Sequence, residues 1–191
     1  MKKLYLASKN PGKIEEYKKL LFHVNCQLLL QPDSIEVEEN GLTFRENAVK
    51  KASEVSKKTR NYAIADDSGI CIDALNGDPG IYSSRYAEND QKRIERVLEE
   101  IDGVQNRSAF FIANICVCAP NGEVIIESEA KCHGNIILNP KGKGGFGYDP
   151  IFEESATRLT FAEMNNVIKD SCSHRGKAIK KIIPQLLEMF S

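Results

Sequence analysis

The sequence predicts a mixed α/β fold, with helices flanking a sheet that has both parallel and antiparallel neighbours. Two observations carry this. In the first third of the chain, short apolar strand-like runs alternate with segments of helical period, the pattern of parallel strands joined by crossover helices. Further on, two long strand-like runs flank Pro120-Asn121-Gly122, a hairpin signal that requires antiparallel pairing. The order of elements therefore suggests a mixed sheet and not a pure array of strand-helix-strand units.

The elements follow in order. Lys3 to Ala7 reads as a strand, and Ser8 to Gly12 as a loop with Pro11 well placed near a helix start. Lys13 to Phe22 reads as a helix with Ile14, Tyr17, Leu20 and Leu21 on one face. Leu28 to Leu30 is a short strand, and Gln31 to Gly41 a loop rich in carboxylates. Thr43 can cap a long helix reaching about Arg60, with Glu46 completing a capping box. Ala63 to Ala65 is a strand that ends in Asp66-Asp67-Ser68-Gly69, which puts the carboxylates at the sheet edge, and Ile70 to Ala74 forms a second strand. Asn76 to Gly80 is Gly/Pro punctuation, and a charged helix covers roughly Asp90 to Ile101. Ser108 to Cys118 and Glu123 to Cys132 are the hairpin strands, and Ile136 to Leu138 continues the sheet. Asn139 to Pro150 is a glycine-rich loop. From about Ser173 a final helix places Ile179, Ile182, Ile183, Leu186, Leu187 and Phe190 at helical spacing, with a kink or break expected at Pro184.

The length of 191 residues favours one domain, residues 1–191, with ample core. Apolar residues make up 41% and charged residues 28%, which argues against long disorder. With 26 Lys+Arg against 27 Asp+Glu the net charge is −1, unlike a dedicated nucleic-acid or acidic-membrane binder. That total hides unlike regions. Asp33 to Glu46 holds five acids and one base, whereas Lys169 to Lys181 holds five bases and one acid, and the first 19 residues six bases and two acids. No apolar run approaches the roughly 18 residues of a membrane span. The apolar stretch after Met1 ends at Ala7, too short for a signal peptide, so a cytoplasmic protein is expected. The six cysteines include no CxxC; Cys116 and Cys118 share one strand face and read as reduced core thiols.

Several segments can carry chemistry. Ser8-Lys9-Asn10-Pro11-Gly12-Lys13 gathers a hydroxyl, an amide, a lysine and helix N-terminal N–H groups, which suits phosphate oxygens. It lacks the glycine spacing of a Walker A loop and can equally be an ordinary capped helix start. Asp66 and Asp67 suit Mg²⁺, which takes one or two protein carboxylates and shares its other positions with phosphates and water; strand alternation sends the two to opposite sides. Asp-Ser-Gly is also a good turn. The acidic loop with Glu36, Glu38 and Glu39 reads as a solvated charge run unless a carboxylate such as Asp67 lies nearby. Lys51 falls inside the apolar stripe of Phe44, Ala48 and Val55, so it must snorkel or meet an anion. The loop Gly142 to Pro150 contains the letters GxGxxG, but Pro150 blocks an immediate helix, so it is no dinucleotide fingerprint. It reads either as a plain glycine-rich loop or as a close-approach backbone whose Gly147 lies among Phe146, Tyr148 and Asp149. An aromatic ring there can stack on a base, and a carboxylate can bond a base edge or ribose. Arg175, at the start of the last helix, projects toward the core side, where an arginine meets a carboxylate or a ligand, while His174 alone reads as structural.

Taken together the motifs resemble a known family. Ser8-x-Asn10-x-x-Lys13, Gly41-Leu42-Thr43-Phe44 to Asn47-Ala48, Lys51-Ala52, Ala65-Asp66-Asp67-Ser68-Gly69, Pro79 to Tyr86, Gly144 to Pro150 and Ser173-His174-Arg175-Gly176 follow one another in register. In this they closely resemble the inosine/xanthosine triphosphate pyrophosphatase family across essentially the whole chain. The short Ala87-Glu88-Asn89-Asp90 segment and the cysteines depart from its pattern. The resemblance implies an elongated α/β fold with a curved mixed sheet, two lobes around a central cleft, a homodimer and Mg²⁺ dependence. It implies cleavage of deaminated purine nucleoside triphosphates (ITP, dITP, XTP) to the monophosphate and pyrophosphate, cleansing the nucleotide pool. It further implies that the loop with Ser8, Lys9, Asn10, Pro11, Gly12 and Lys13, together with Lys51, holds the phosphates. Glu39 and Asp67 would bind the metal, with Asp67 the base for the attacking water, and Ser68 would touch substrate. Phe146 would stack on the base, and Gly147, Tyr148, Asp149, Lys169, His174 and Arg175 would shape its pocket. The alternative expectation is a purine nucleotide-binding regulator that does not hydrolyse its ligand.

Overall fold

The computed structural model describes the whole chain, Met1–Ser191. Its elements are β1 (Lys3–Leu6), α1 (Pro11–Leu20), β2 (Gln27–Leu30), α2 (Phe44–Thr59), β3 (Tyr62–Ile72), α3 (Asp90–Glu100), β4 (Ser108–Cys118), β5 (Val124–Ile136), β6 (Phe152–Glu154), α4 (Asn166–Cys172) and α5 (His174–Met189). Short 3₁₀ turns at Asp73–Leu75 and Gly80–Arg85 follow β3. The six strands form one sheet in the order β2-β1-β3-β4-β5-β6. β1 pairs in parallel with β2 and β3, and β5 pairs antiparallel with β6, so the sheet is mixed, as the sequence predicts. No helix is long and apolar enough to cross a membrane.

The chain forms two compact units, Met1–Asp67 with Ala113–Ala130 and Lys177–Ser191, and Ser68–Ile112 with Lys131–Gly176. In the first, β3 is covered on both faces. Ile64 joins Leu4, Leu6, Tyr17, Ile115, Ile182 and Leu186, while Ala63 and Ala65 face Ala48, Ala52 and Val55 of α2. The small alanines let α2 lie close to the strand. In the second unit Ile70, Ile72, Ile94, Val97, Phe111, Phe152 and Phe161 form a separate core.

The helix starts are set by local chemistry. Asn10 caps α1 by accepting the Lys13 N–H at 3.2 Å, with Pro11 as its first residue. Thr43 caps α2 by accepting the Glu46 N–H at 3.1 Å, and the Glu46 carboxylate reaches back to the Leu42 N–H at 2.6 Å. The Pro120-Asn121-Gly122 hairpin closes with Ala119 N–H donating to the Glu123 carbonyl at 2.8 Å.

Four features differ from the sequence reading. Asp66-Asp67-Ser68-Gly69 is neither a turn nor the end of its strand: it lies inside the continuous strand β3, just past the last residue paired with β1. Turn propensity yields there because Asp66, Asp67 and Ser68 each meet a cationic side chain in their own unit. β5 likewise runs unbroken to Ile136 through Gly134, where a Cβ would stand 2.3 Å from the Glu153 carbonyl; only glycine lets β6 pair so closely. β6 and α4 had no sequence signal, being three and seven residues long. Finally, of the kink or break expected at Pro184, the break does not occur: α5 runs through it as one helix. Burial of Ala178, Ile179, Ile182, Leu186 and Phe190 offsets the lost hydrogen bond, a cost of about 3 kcal/mol.

The cysteines form no disulfides, and the Cys116 and Cys118 sulfurs lie 3.7 Å apart in the core.

Where α4 meets α5, a Cβ on Gly176 would fall 1.9 Å from the Asp170 carbonyl. Gly176→Ala is therefore expected to destabilise the protein by about 1–3 kcal/mol, read as a lowered urea midpoint at unchanged m-value. An unshifted midpoint would show that the corner gives way without cost.

Candidate active site

In the first unit a buried cluster of charge is built on one strand, one helix and one loop. β1 pairs with β3 only as far as Leu6 opposite Ile64, so Asp66 and Asp67 lie just beyond its end. Alternation along β3 then aims the two carboxylates apart, and each finds its own lysine. Lys13, in the first turn of α1, is 3.0 Å from Asp66 Oδ1. Lys51 of α2 places Nζ 3.0 Å from Asp67 Oδ1 and 2.7 Å from Glu39 Oε1. Lys51 is only 8% exposed, so it is the inward anion-seeking lysine of the two open readings.

The electrostatics follow from this packing. Burial works against the Lys51 ammonium, but Asp67, Glu39 and Asp66 outweigh it and hold its pKa above the ordinary lysine value. Burial pushes the Asp67 carboxyl above the usual carboxylate range, with Lys51 and Lys13 pulling the other way. Such a carboxylate accepts a proton more readily than an exposed one.

Asn47 completes the cluster, and sequence reasoning gave it no role. Fully buried, it donates from Nδ2 to Asp67 Oδ2 at 3.2 Å and accepts the Gly41 N–H at 2.8 Å. It thereby orients Asp67 and fastens the chain just after Glu39. Its spacing was the available signal: it precedes Lys51 by one helical turn on the same face.

The donor set can be tested against Mg²⁺. Glu39 and Asp67 present hard oxygens that already converge on a single positive charge, the Lys51 ammonium. Mg²⁺ takes one or two protein carboxylates and completes its shell with phosphate and water, so the chemistry of this pair fits it.

The phosphate-loop candidates divide. Asn10 and Ser8 order the loop, the Ser8 hydroxyl accepting the Asn10 N–H at 3.2 Å. Pro11 and Gly12 form the first turn of α1. Lys9 is exposed, directed to the Asp33 carbonyl at 3.3 Å and to Glu36 at 4.0 Å. Of the acidic loop, Glu39 alone reaches the buried cluster, while Glu38 accepts from Asn40 at the surface.

In the second unit a different group assembles around the glycine-rich loop. Asp149 pairs with Lys169 at 2.7 Å and accepts the Phe146 N–H at 2.9 Å. Lys169 Nζ lies 5.2 Å, and the Arg175 guanidinium 5.9 Å, from the centre of the Phe146 ring. Arg175, only 2% exposed, donates to the Ser68 hydroxyl at 2.9 Å. His174 stacks on Phe111 with centroids 4.8 Å apart and planes 10° from parallel. Tyr148 is buried and donates its hydroxyl to the Ser83 carbonyl at 2.8 Å; burial raises its pKa well above the ordinary tyrosine value. Gly147 adopts φ +62°, a left-handed conformation suited to glycine, and donates its N–H to Asp90 at 2.7 Å. Sequence reasoning missed Ser83 and Asp90, because both act over separations that no local pattern encodes.

Comparison with known proteins gives one consistent answer. The Ham1 family model matches residues 4–185. The dITP/XTP pyrophosphatase of Prochlorococcus marinus subsp. pastoris (strain CCMP1986 / NIES-2087 / MED4) is 85% identical over all of both chains. That of Nostoc sp. (strain PCC 7120 / SAG 25.82 / UTEX 2576) is 47% identical over 98% of this chain and 96% of its own. Among solved structures, a HAM1 protein from Coxiella burnetii superposes with TM-score 0.89 at 38% identity, covering 98% of this chain and all of that one. The nucleoside-triphosphatase / dITP/XTP pyrophosphatase from Mycobacterium abscessus gives TM-score 0.75 at 35% identity over 95% and 99% of the two chains. The chain belongs to the Ham1 family.

Proposed function

We propose that this protein hydrolyses deaminated purine nucleoside triphosphates, dITP, ITP and XTP, to the nucleoside monophosphate and pyrophosphate, using Mg²⁺. The observation that carries the reading is the buried cluster of Lys13, Lys51, Glu39, Asp66 and Asp67 in a chain whose relatives bear the name dITP/XTP pyrophosphatase.

The roles follow from the chemistry of the groups. Lys13 and Lys51 neutralise phosphate oxygens, and Ser8, Asn10 and the start of α1 hold them. Glu39 and Asp67 would hold Mg²⁺, which would supply positive charge to offset that of the phosphates. Asp67, oriented by Asn47, takes the proton of a water whose oxygen attacks the α-phosphorus. The bond from that phosphorus to its bridging oxygen breaks, and pyrophosphate leaves with the electron pair.

Phe146 stacks on the purine. A 6-oxo purine offers an acceptor where adenine carries an amino donor. Donors from Arg175 and His174 satisfy the first, whereas adenine sets donor against donor in a dry site. The reading includes a homodimer in the cytoplasm and no nucleic-acid partner, in keeping with the net charge of −1.

The test is a nucleotide panel with product identification, with and without Mg²⁺. Pyrophosphate release from dITP, ITP and XTP is expected to exceed that from ATP and GTP by at least about 100-fold in kcat/KM, and to need the metal. Orthophosphate as the first product would overturn the reaction class.

A further inference from the structure

The loop that carries Phe146 is fastened by two carboxylates. Asp149, within the loop, accepts the Phe146 N–H at 2.9 Å. Asp90, 57 residues earlier in sequence, accepts the next amide, the Gly147 N–H, at 2.7 Å. The Phe146 Cα therefore sits between two pinned peptide planes. With both planes fixed, the direction in which its side chain leaves the backbone is fixed as well.

Asp90 is not the cap of its own helix. It is the first residue of α3, but Asn89 is the cap and accepts the Lys92 N–H at 2.9 Å. The second Asp90 oxygen, Oδ1, takes Arg93 at 2.6 Å, leaving Oδ2 for Gly147. Arg93 in turn donates to the Ala87 carbonyl at 3.2 Å, which braces the short segment before α3.

We propose that Asp90 is a positioning residue for purine binding: by accepting the Gly147 N–H it sets how the Phe146 ring is presented, and so acts on nucleotide affinity and not on phosphoryl transfer. This rests on the reading of Phe146 as the ring that stacks on the base.

The test compares Asp90→Ala, Asp90→Asn, Arg93→Ala and Phe146→Ala in the full-length protein. The readouts are steady-state kinetics on XTP with Mg²⁺ and amide hydrogen exchange at Gly147. Asp90→Ala is expected to raise KM about tenfold, the scale of one charge-assisted hydrogen bond, with kcat changed by less than about threefold. Gly147 exchange should quicken. Asp90→Asn keeps an acceptor oxygen and should recover most of the wild-type KM, and Arg93→Ala should retain it. Unchanged KM or unchanged Gly147 exchange in Asp90→Ala, a loss confined to kcat, or an Asp90→Asn as impaired as Asp90→Ala would each overturn the role. Wild-type KM in Phe146→Ala would overturn the stacking reading itself, even where exchange shows the clamp. Raised KM in Phe146→Ala beside wild-type KM in Asp90→Ala would remove only Asp90.

Discussion

Asp67→Asn is expected to lower turnover of dITP and XTP by about 100-fold or more, the scale on which removing a key charged group from a preorganised site is felt. The substitution keeps the size of the side chain and removes its charge and its capacity to accept a proton. Lys51 retains Glu39 at 2.7 Å, so no buried ammonium is stranded and the fold is expected to survive. A local cost arises at Asn47, which donates to Asp67 Oδ2 while its own oxygen is held by the Gly41 N–H. An amide in place of the carboxylate must turn its NH₂ toward either Asn47 or Lys51, both donors, at a cost of about 1–3 kcal/mol. The measurement is the initial rate of pyrophosphate release in Mg²⁺, with the urea midpoint as a check on folding. Turnover within tenfold of wild type would make Asp67 dispensable, as a nucleotide-binding regulator without hydrolysis would require.

Lys169→Met is expected to give the largest loss of stability. Lys169 and Asp149 form a pair whose side chains are 10% and 6% exposed. Removing the ammonium takes the facing charge away from a buried carboxylate, and breaking such a pair from one side costs about 3–5 kcal/mol. The same change loosens the loop, because Asp149 is what holds the Phe146 amide, so KM for XTP should rise as well. The double variant Asp149→Asn with Lys169→Met should be more stable than the sum of the single losses predicts, since it strands no charge. Additive losses would show that the two groups are not coupled, and an unchanged urea midpoint in Lys169→Met would remove the pair from the stability of the protein.

Much of the first unit was legible because its signals are local. The Thr43 cap, the Asn-Gly turn of the hairpin and the periodic faces of α2 and α5 each depend on residues a few positions apart. Lys51 could be flagged as out of place because helical period alone put a charge on an apolar face. The reading failed where a local preference met a distant partner. Asp-Asp-Ser-Gly favours a turn in isolation, yet Lys13, Lys51 and Arg175 supply charges and donors that let it remain a strand. Pro184 favours a break, yet the buried face on either side holds α5 together.

The mixed α/β sheet was therefore determined by the sequence itself, because strand and helix periods are written in neighbouring residues. The sequence also named the groups able to do the chemistry. Which of them meet was decided by tertiary structure alone. Glu39 looked like one acid in a solvated run, and only the folding of its loop against α2 brings it to Lys51 and so to Asp67. Asn47, Ser83 and Asp90 gained roles in the same way. Hydrogen bonds and ion pairs act over about 3 Å in space, and a one-dimensional pattern registers such contacts only where the chain's own helical or strand period repeats them.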